Sequence, residues 1–300
     1  MGGINIGYKK QNKKQLVELI YIVLISLLIL VGTNYMNDLY KTNVEEEKQS
    51  QMEVDKKIKA KKEEETLIIG QKKEYSQKYG YDARKIMKRI QTYNFSNDEK
   101  KMVFLTFDDG PSMTNTPKIL NILRENNVNA TFFICGYSIR SDEEKALLKR
   151  TFDEGNAIGN HTFSHDMKKL YPNGNLNIDA FIEDLNKNEE VMKEILGEKF
   201  STRVIRTPGG FYSWKNMKPL QTYLDKEKMA NIDWNALNKD AEGNRKNSQQ
   251  LVDAAIETSK DKDIVIMLMH DTYGKEETVK SLPDIIQYFK DNGYEFKTLR

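Results

Sequence analysis

Cysteine is almost missing from this 300-residue chain. The single Cys135 excludes an internal disulfide framework and a zinc site built from cysteines, and it reads as a small buried apolar residue. Histidine is nearly as scarce, with three residues at positions 161, 165 and 270. Net charge is low as well. Forty-seven basic residues against 45 acidic ones leave +2, too little for the general basic field of a nucleic-acid protein. No G-x-G-x-x-G follows the first strand pattern, which weakens a dinucleotide-binding fold. Hydrophobic residues make up 38%, enough for a globular core and too few for a polytopic membrane protein.

One long apolar run is present. Leu16 to Gly32 holds 17 residues with a single charge, Glu18. At ~1.5 Å per residue it covers ~26 Å, and flanking residues such as Tyr35 and Met36 extend it toward the ~30 Å of a hydrocarbon core. Lys9, Lys10, Lys13 and Lys14 precede it without an acidic residue among them. The positive-inside rule then puts residues 1–15 in the cytoplasm as a tail, residues 16–36 in the membrane as a single span, and the rest outside the cell. A cleaved signal peptide is the rival reading. The run lacks a following small-x-small site of the Ala type, which favours an uncleaved anchor. Lys41 to Glu65 carries 15 charges in 25 residues. Such a segment buries no core and reads as a solvated helix with i,i+4 charge pairs or as a disordered spacer. Residues 37–100 are therefore expected to form a charged stalk.

From residue 101 onward the pattern changes. Short β-rich runs recur at 102–107, 130–134, 157–160, 204–207, 229–234, 264–269 and 295–299. Helical patterns lie between them. One starts at Thr116-Pro117, a good N-cap followed by a good first-turn residue. Another spans Ile178 to Leu196 and stops at Gly197. About seven strands alternating with helices predict an α/β domain over 101–300 with parallel βα units. In parallel barrels the active site sits at the C-terminal strand ends. Five of these ends deliver Asp, His or Arg: Asp108-Asp109, His161 with His165, Arg206, Asp240 beyond the fifth run, and His270. The His161/His165 pair has i,i+4 spacing, which on a helical turn aims both rings at one metal. A carboxylate as third ligand leaves a position open for water, as in catalytic zinc sites. Read alone, an H-x-x-x-H pair or an Asp-Asp-Gly turn is commonplace.

Five motifs occur in order: T-F-D-D-G-P-S at 106–112, H-T-F-S-H at 161–165, R-T-P-G-G at 206–210, W-x5-D from Trp234 to Asp240, and L-M-H at 268–270. This set resembles the polysaccharide deacetylases, the NodB-like carbohydrate esterases, and the resemblance covers about residues 101–300. It implies a distorted (β/α) barrel. It also implies a divalent metal, usually zinc with cobalt, manganese or nickel as alternatives, held by Asp109, His161 and His165. By the same resemblance Asp108 is the catalytic base, Arg206 orients it, His270 is the catalytic acid and Asp240 tunes that acid. Two positions depart from the family pattern. The third motif reads Pro208-Gly209 where Pro-Tyr is usual, which passes the oxyanion amide to Gly209 and loses an aromatic contact. The fourth reads Asp240-Ala241 in place of Asp-Trp. Phe211, Tyr212 and Trp214 suit sugar stacking or simple packing. The implied protein is bacterial, membrane-anchored and extracytoplasmic, with a Gram-positive envelope fitting the anchor and stalk. It removes N-acetyl groups from peptidoglycan N-acetylglucosamine. Alternatives are N-acetylmuramic acid, poly-N-acetylglucosamine or an O-acetylated sugar as substrate, or an inactive glycan-binding module.

Overall fold

The computed structural model describes residues 5–66, 68–96 and 100–300. It divides into two compact units, Met1–Thr66 and Leu67–Arg300. The first unit is a single helix, Asn5–Thr66. Its apolar residues stand exposed; Leu28, for example, retains 72% of its surface. By length and composition this helix is able to cross a membrane. Residues 1–4 of the expected tail lie outside the described residues. The charged stretch continues the same helix, and Glu53 pairs with Lys57 one turn on at 3.1 Å.

The second unit begins well before residue 101, which corrects the stalk expected through residue 100. Ile68–Ile69 pairs in parallel with Phe200–Ser201, and Gly80–Tyr81 pairs with Thr298–Leu299. The helix Ala83–Gln91 places Ala83, Ile86, Met87 and Ile90 in the interior. Its polar residues Arg84, Lys85 and Lys88 face outward and disguise it in the sequence as part of a charged linker.

Seven parallel strands form the curled sheet: β1 (Met102–Asp108), β2 (Thr131–Ile134), β3 (Ala157–Asn160), β4 (Val204–Ile205), β5 (Ala230–Asn231), β6 (Ala236–Leu237) and β7 (Ile264–His270). Their order is β5-β4-β3-β2-β1-β7-β6, a half-barrel with β5 and β6 at its two edges. The expected number of strands is present, with one exchange. Residues 295–299 split into two short pieces, one beside β1 and one beside Gly80–Tyr81. The seventh strand of the sheet path is β6, which the sequence pattern did not single out. At two residues, β6 is too short to show a period.

Both long strands are buried along their length, as expected of a parallel sheet covered on both faces. Period-2 alternation sorts their side chains. Val103, Leu105, Phe107, Val265, Met267 and Met269 join the layer under the outer helices. Met102, Phe104, Ile264 and Ile266 point the other way and pack with Ile86, Met87 and Ile90 inside the half-barrel. The helix Ala83–Gln91 therefore fills the barrel interior. Continued two residues at a time, the inner row of β1 runs Phe104, Thr106, Asp108, and that of β7 runs Ile266, Leu268, His270. Register places His270 opposite Asp108. The alternation that buries the core thus delivers a carboxylate and an imidazole side by side at the barrel mouth.

Candidate active site

Asp108 is 3% exposed. Its Oδ1 accepts from Arg206 Nη1 at 2.7 Å, and the same nitrogen donates to Thr106 Oγ1 at 2.8 Å. Arg206 is fully buried, donates through Nε to the Ile232 carbonyl at 2.8 Å, and lies over the Phe133 ring. A buried guanidinium needs such partners, and Asp108 supplies its counter-charge. Burial nevertheless raises the Asp108 carboxyl above the ordinary carboxylate value, with Arg206 and His270 pulling against it.

The chain leaves β1 through Asp109, held at φ 71°, and Gly110, followed by a cis Gly110–Pro111 bond. A left-handed φ at a non-glycine residue is costly, and such costs concentrate at functional sites. Gly110 is required here for another reason. A Cβ at this position would sit 2.6 Å from Asp271 Oδ2.

Asp109 Oδ1 lies 3.5 Å from His161 Nε2 and 3.4 Å from His165 Nε2. These separations match the edge of a tetrahedron with ligand bonds of about 2.1 Å. His161 Nδ1–H donates to the Arg206 carbonyl at 2.7 Å, which leaves Nε2 as the lone-pair nitrogen facing Asp109. Burial pushes the His161 pKa down to about 3, so the ring is neutral, as a ligand must be. The donor chemistry of the three residues fits a divalent metal such as zinc.

The pair does not sit on a helical turn as its spacing suggested. Residues 161–166 form a loop, with Thr162 at φ 67° and His165 at φ 51°, and a short helix starts only at Met167. Asp184, from the helix Ile178–Leu196, shapes this loop by accepting from Ser164 N at 2.7 Å and Ser164 Oγ at 3.0 Å. Asn160 Oδ1 adds a bond from Thr162 N at 2.9 Å. The sequence reading missed Asp184, because an acidic residue 20 positions away on a helix carries no local signal.

His270 Nδ1–H donates to Asp240 Oδ1 at 2.7 Å, and its backbone N–H donates to Asp240 Oδ2 at 2.9 Å. Thr278 Oγ1 holds the second oxygen at 2.8 Å. Burial opposes charge on the ring, but the Asp240 hydrogen bond and charge outweigh it and raise the His270 pKa. The reciprocal bond lowers Asp240 against its own burial. The bond to Asp240 takes up Nδ1, and strand register sets His270 beside Asp108.

Gly209 and Gly210 turn at φ 76° and 86°. Trp214 supports the turn through Nε1–H to the Pro208 carbonyl at 2.8 Å, and its ring stacks on Tyr171 at 4.2 Å. Trp214 is therefore a packing residue, whereas Tyr212 is 58% exposed. Asp233 was also missed. It is 8% exposed and anchors the turn by accepting from Phe211 N.

Cys135 is fully buried, as expected, yet it borders the site. Its thiol faces Asp109 Oδ1 at 3.7 Å, and Asp109, Cys135 and His161 bring one donor atom each within 4.8 Å of one another. Its place beside Asp109 and His161 was not expected from the sequence. Burial, followed by the charges of Asp109 and Asp108, pushes the thiol well up and keeps it protonated. It acts as a donor to Asp109, while His165 completes the outward-facing set.

The Asp108–Arg206 and His270–Asp240 pairs and three metal-type donors thus gather at the strand ends of a parallel half-barrel, an arrangement suited to hydrolysis. Residues 95–223 match the family model described as polysaccharide deacetylase. A peptidoglycan-N-acetylglucosamine deacetylase from Bacillus cereus is 32% identical over 69% of this chain and 70% of its own. PdaA of Bacillus subtilis, a peptidoglycan-N-acetylmuramic acid deacetylase, is 29% identical over 73% of this chain and 78% of its own. Among solved structures, a Streptococcus mutans CE4 esterase shares the fold with a TM-score of 0.71 at 34% identity, covering 78% of this chain and 97% of that one. The chain belongs to the polysaccharide deacetylase family, whose members are metal-dependent enzymes.

Proposed function

We propose that the protein is a membrane-anchored deacetylase of cell-wall glycan that hydrolyses the N-acetyl group of peptidoglycan N-acetylglucosamine, releasing acetate. The observation that carries this reading is the juxtaposition of Asp108, backed by Arg206, with His270, backed by Asp240, in register on neighbouring strands.

Asp109, His161 and His165 would hold the divalent metal, zinc by preference, and when bound it supplies Lewis-acid polarisation of the acetyl carbonyl and a lowered pKa for water. Asp108 takes the proton of the attacking water, with Arg206 fixing the carboxylate so that one oxygen stays turned to the site. The Gly209 amide serves the developing oxyanion, a role that needs a backbone N–H rather than any side chain. His270, kept charged by Asp240, delivers a proton to the departing sugar amine. An amine leaves poorly without one, so the acid is essential for an amide substrate.

The proposed topology is a single span with the N-terminus in the cytoplasm and the catalytic unit outside. Support comes from the exposed apolar helix and the lysines ahead of Leu16. The glycan preference follows the relatives named above. N-acetylmuramic acid is the second reading, on the strength of the likeness to PdaA.

The test is incubation of the detergent-solubilised protein with purified peptidoglycan strands, followed by mass analysis of the released disaccharides. Loss of acetyl from the glucosamine unit is expected. Loss from the muramic unit alone would move the assignment to the second reading, and no loss from any glycan would refute the function.

A further inference from the structure

We infer that Asp271 is a positioning residue for the Asp109-Gly110 turn, whose path it fixes from the end of the strand that carries His270. The inference rests on the deacetylase reading, in which Asp109 holds the metal, and adds what holds Asp109.

Asp271 follows β7 directly. Its N–H donates to the Asp108 carbonyl at 2.8 Å, which carries the β1–β7 ladder one residue past the His270–Asp108 pair. Alternation turns its side chain away from the row of Ile266, Leu268 and His270, and so away from the reaction centre. It is fully buried instead against the segment that follows β1. Oδ2 accepts from Thr116 Oγ1 at 2.6 Å, and that hydroxyl accepts from the Ser112 N–H at 2.8 Å. A Cβ on Gly110 would lie 2.6 Å from the same Oδ2. One carboxyl oxygen therefore touches the turn beside Asp109 and the first residue of the helix Thr116–Glu125. A second tie runs from Asn115 Nδ2–H to the Thr272 carbonyl at 2.6 Å.

What Asp271 offers the turn is shape and an acceptor. Its Oδ1 has no hydrogen-bond partner among the described residues, and no basic side chain there stands as its counter-charge. Burying a carboxylate in that state is costly, and burial accordingly raises the carboxyl well above its ordinary value. Gly110 is not free to retreat from it. The Gly110 carbonyl accepts from the Cys135 N–H at 3.2 Å, and the Asp109 carbonyl accepts from Ser138 Oγ at 3.0 Å. The turn is thus held from β7 by Asp271 and from the end of β2 by Cys135 and Ser138. Asp109 needs such support, because its φ of 71° is one that a non-glycine residue adopts only when its surroundings impose it.

The test uses the full-length protein in detergent, stripped of metal and titrated with cobalt(II) against a competing chelator. Affinity and the visible absorption of the bound cobalt are both read, since the spectrum reports the geometry of the ligands. Asp271→Ala is expected to weaken cobalt binding by roughly tenfold, the scale of losing a group that orients a ligand, and to alter the spectrum. Asp271→Asn keeps the shape and the acceptor and is expected to recover most of that loss. Gly110→Ala should weaken binding as well, because its Cβ meets Oδ2. Gly110→Ala/Asp271→Ala should then bind cobalt more tightly than Gly110→Ala alone, since the missing carboxyl vacates the space that the Cβ needs. A loss of general stability would not produce that recovery. Wild-type affinity and spectrum in Asp271→Ala would overturn the inference, as would losses that simply add in the double variant. Wild-type affinity in Gly110→Ala would overturn it even if Asp271→Ala does not fold. No glycan enters this readout. Wild-type protein that binds cobalt and responds to these substitutions, yet deacetylates no glycan, would count against the proposed function alone.

Discussion

Asp108 and Asp109 are neighbours in sequence with opposite surroundings. Asp108 ends the inner row of β1 and meets Arg206 at 2.7 Å, whereas Asp109 turns out at φ 71° toward two histidines. Their substitutions should separate accordingly. Asp108→Asn is expected to retain metal and lose roughly 10²–10⁴ in rate, the scale of general acid–base catalysis. Retained metal by elemental analysis with retained activity would remove Asp108 from the base role. His270→Ala should lose a similar factor on an N-acetyl sugar and far less on an aryl acetate, whose phenolate departs without a proton. Equal losses on the two substrates would show that His270 is not the acid. The Asp240–His270 bond makes a further prediction about pH. Asp240 raises the His270 pKa against the opposing effect of burial. In Asp240→Asn the alkaline limb of kcat/KM should therefore move to lower pH. A limb that stays put would detach it from His270. The same pair has a stability window. Its contribution is complete below the unfolded histidine value of ~6.5 and fades as pH rises through the raised folded value. On the acid side it is lost as pH falls through the lowered Asp240 value.

At the scale of elements, two segments outside the motifs hold the site together. The loop carrying His161 and His165 takes its shape from Asp184 on a helix and from Asn160, since Asn160 accepts from Thr162 N and Asp184 from Ser164 N and Oγ. His161→Ala and Asp109→Ala are each expected to lower bound metal by removing a donor. Asp184→Ala should lower it as well, with all three proposed ligands intact. Full metal content in His161→Ala and Asp109→Ala would end the triad assignment, while full content in Asp184→Ala alone would confine that residue to stability. The helix Ala83–Gln91 is the second such segment. Ile86 is fully buried against β1 and β7. Ile86→Ala should cost about 2–5 kcal/mol, the range for truncating a core aliphatic side chain, read by urea denaturation. A cost under ~0.5 kcal/mol would return this segment to the role of a loosely attached linker.

For the whole molecule, the question is which side of a membrane the catalytic unit occupies. An N-in, C-out anchor predicts that protease added to intact cells digests the unit from Leu67 onward and spares a cytoplasmic control. Protection of that unit would refute export. A shed form beginning soon after Gly32 would mean that the apolar run is a cleaved signal.

Local order made much of this molecule readable as sequence. Apolar runs of period two and capped helices of period 3.6 report parallel βα units, because burial of one face constrains each residue type where it stands. The five motifs sit at strand ends because functional side chains there must leave the core pattern, and that departure is visible. Long-range partners decided the remainder. A two-residue strand such as β6 has no period to read, and its existence depends on β7 beside it. The spacing of His161 and His165 is the same on a helix and in this loop, and only Asp184 and Asn160 distinguish the two. The helix Ala83–Gln91 looks like a continuation of a charged linker until the half-barrel offers its apolar face an interior to fill. Residue types and their spacing determined the available chemistry. Tertiary packing decided which carboxylate meets Arg206, which meets the histidines, and which aromatic rings remain exposed, because each of those outcomes is set by neighbours tens to hundreds of positions away.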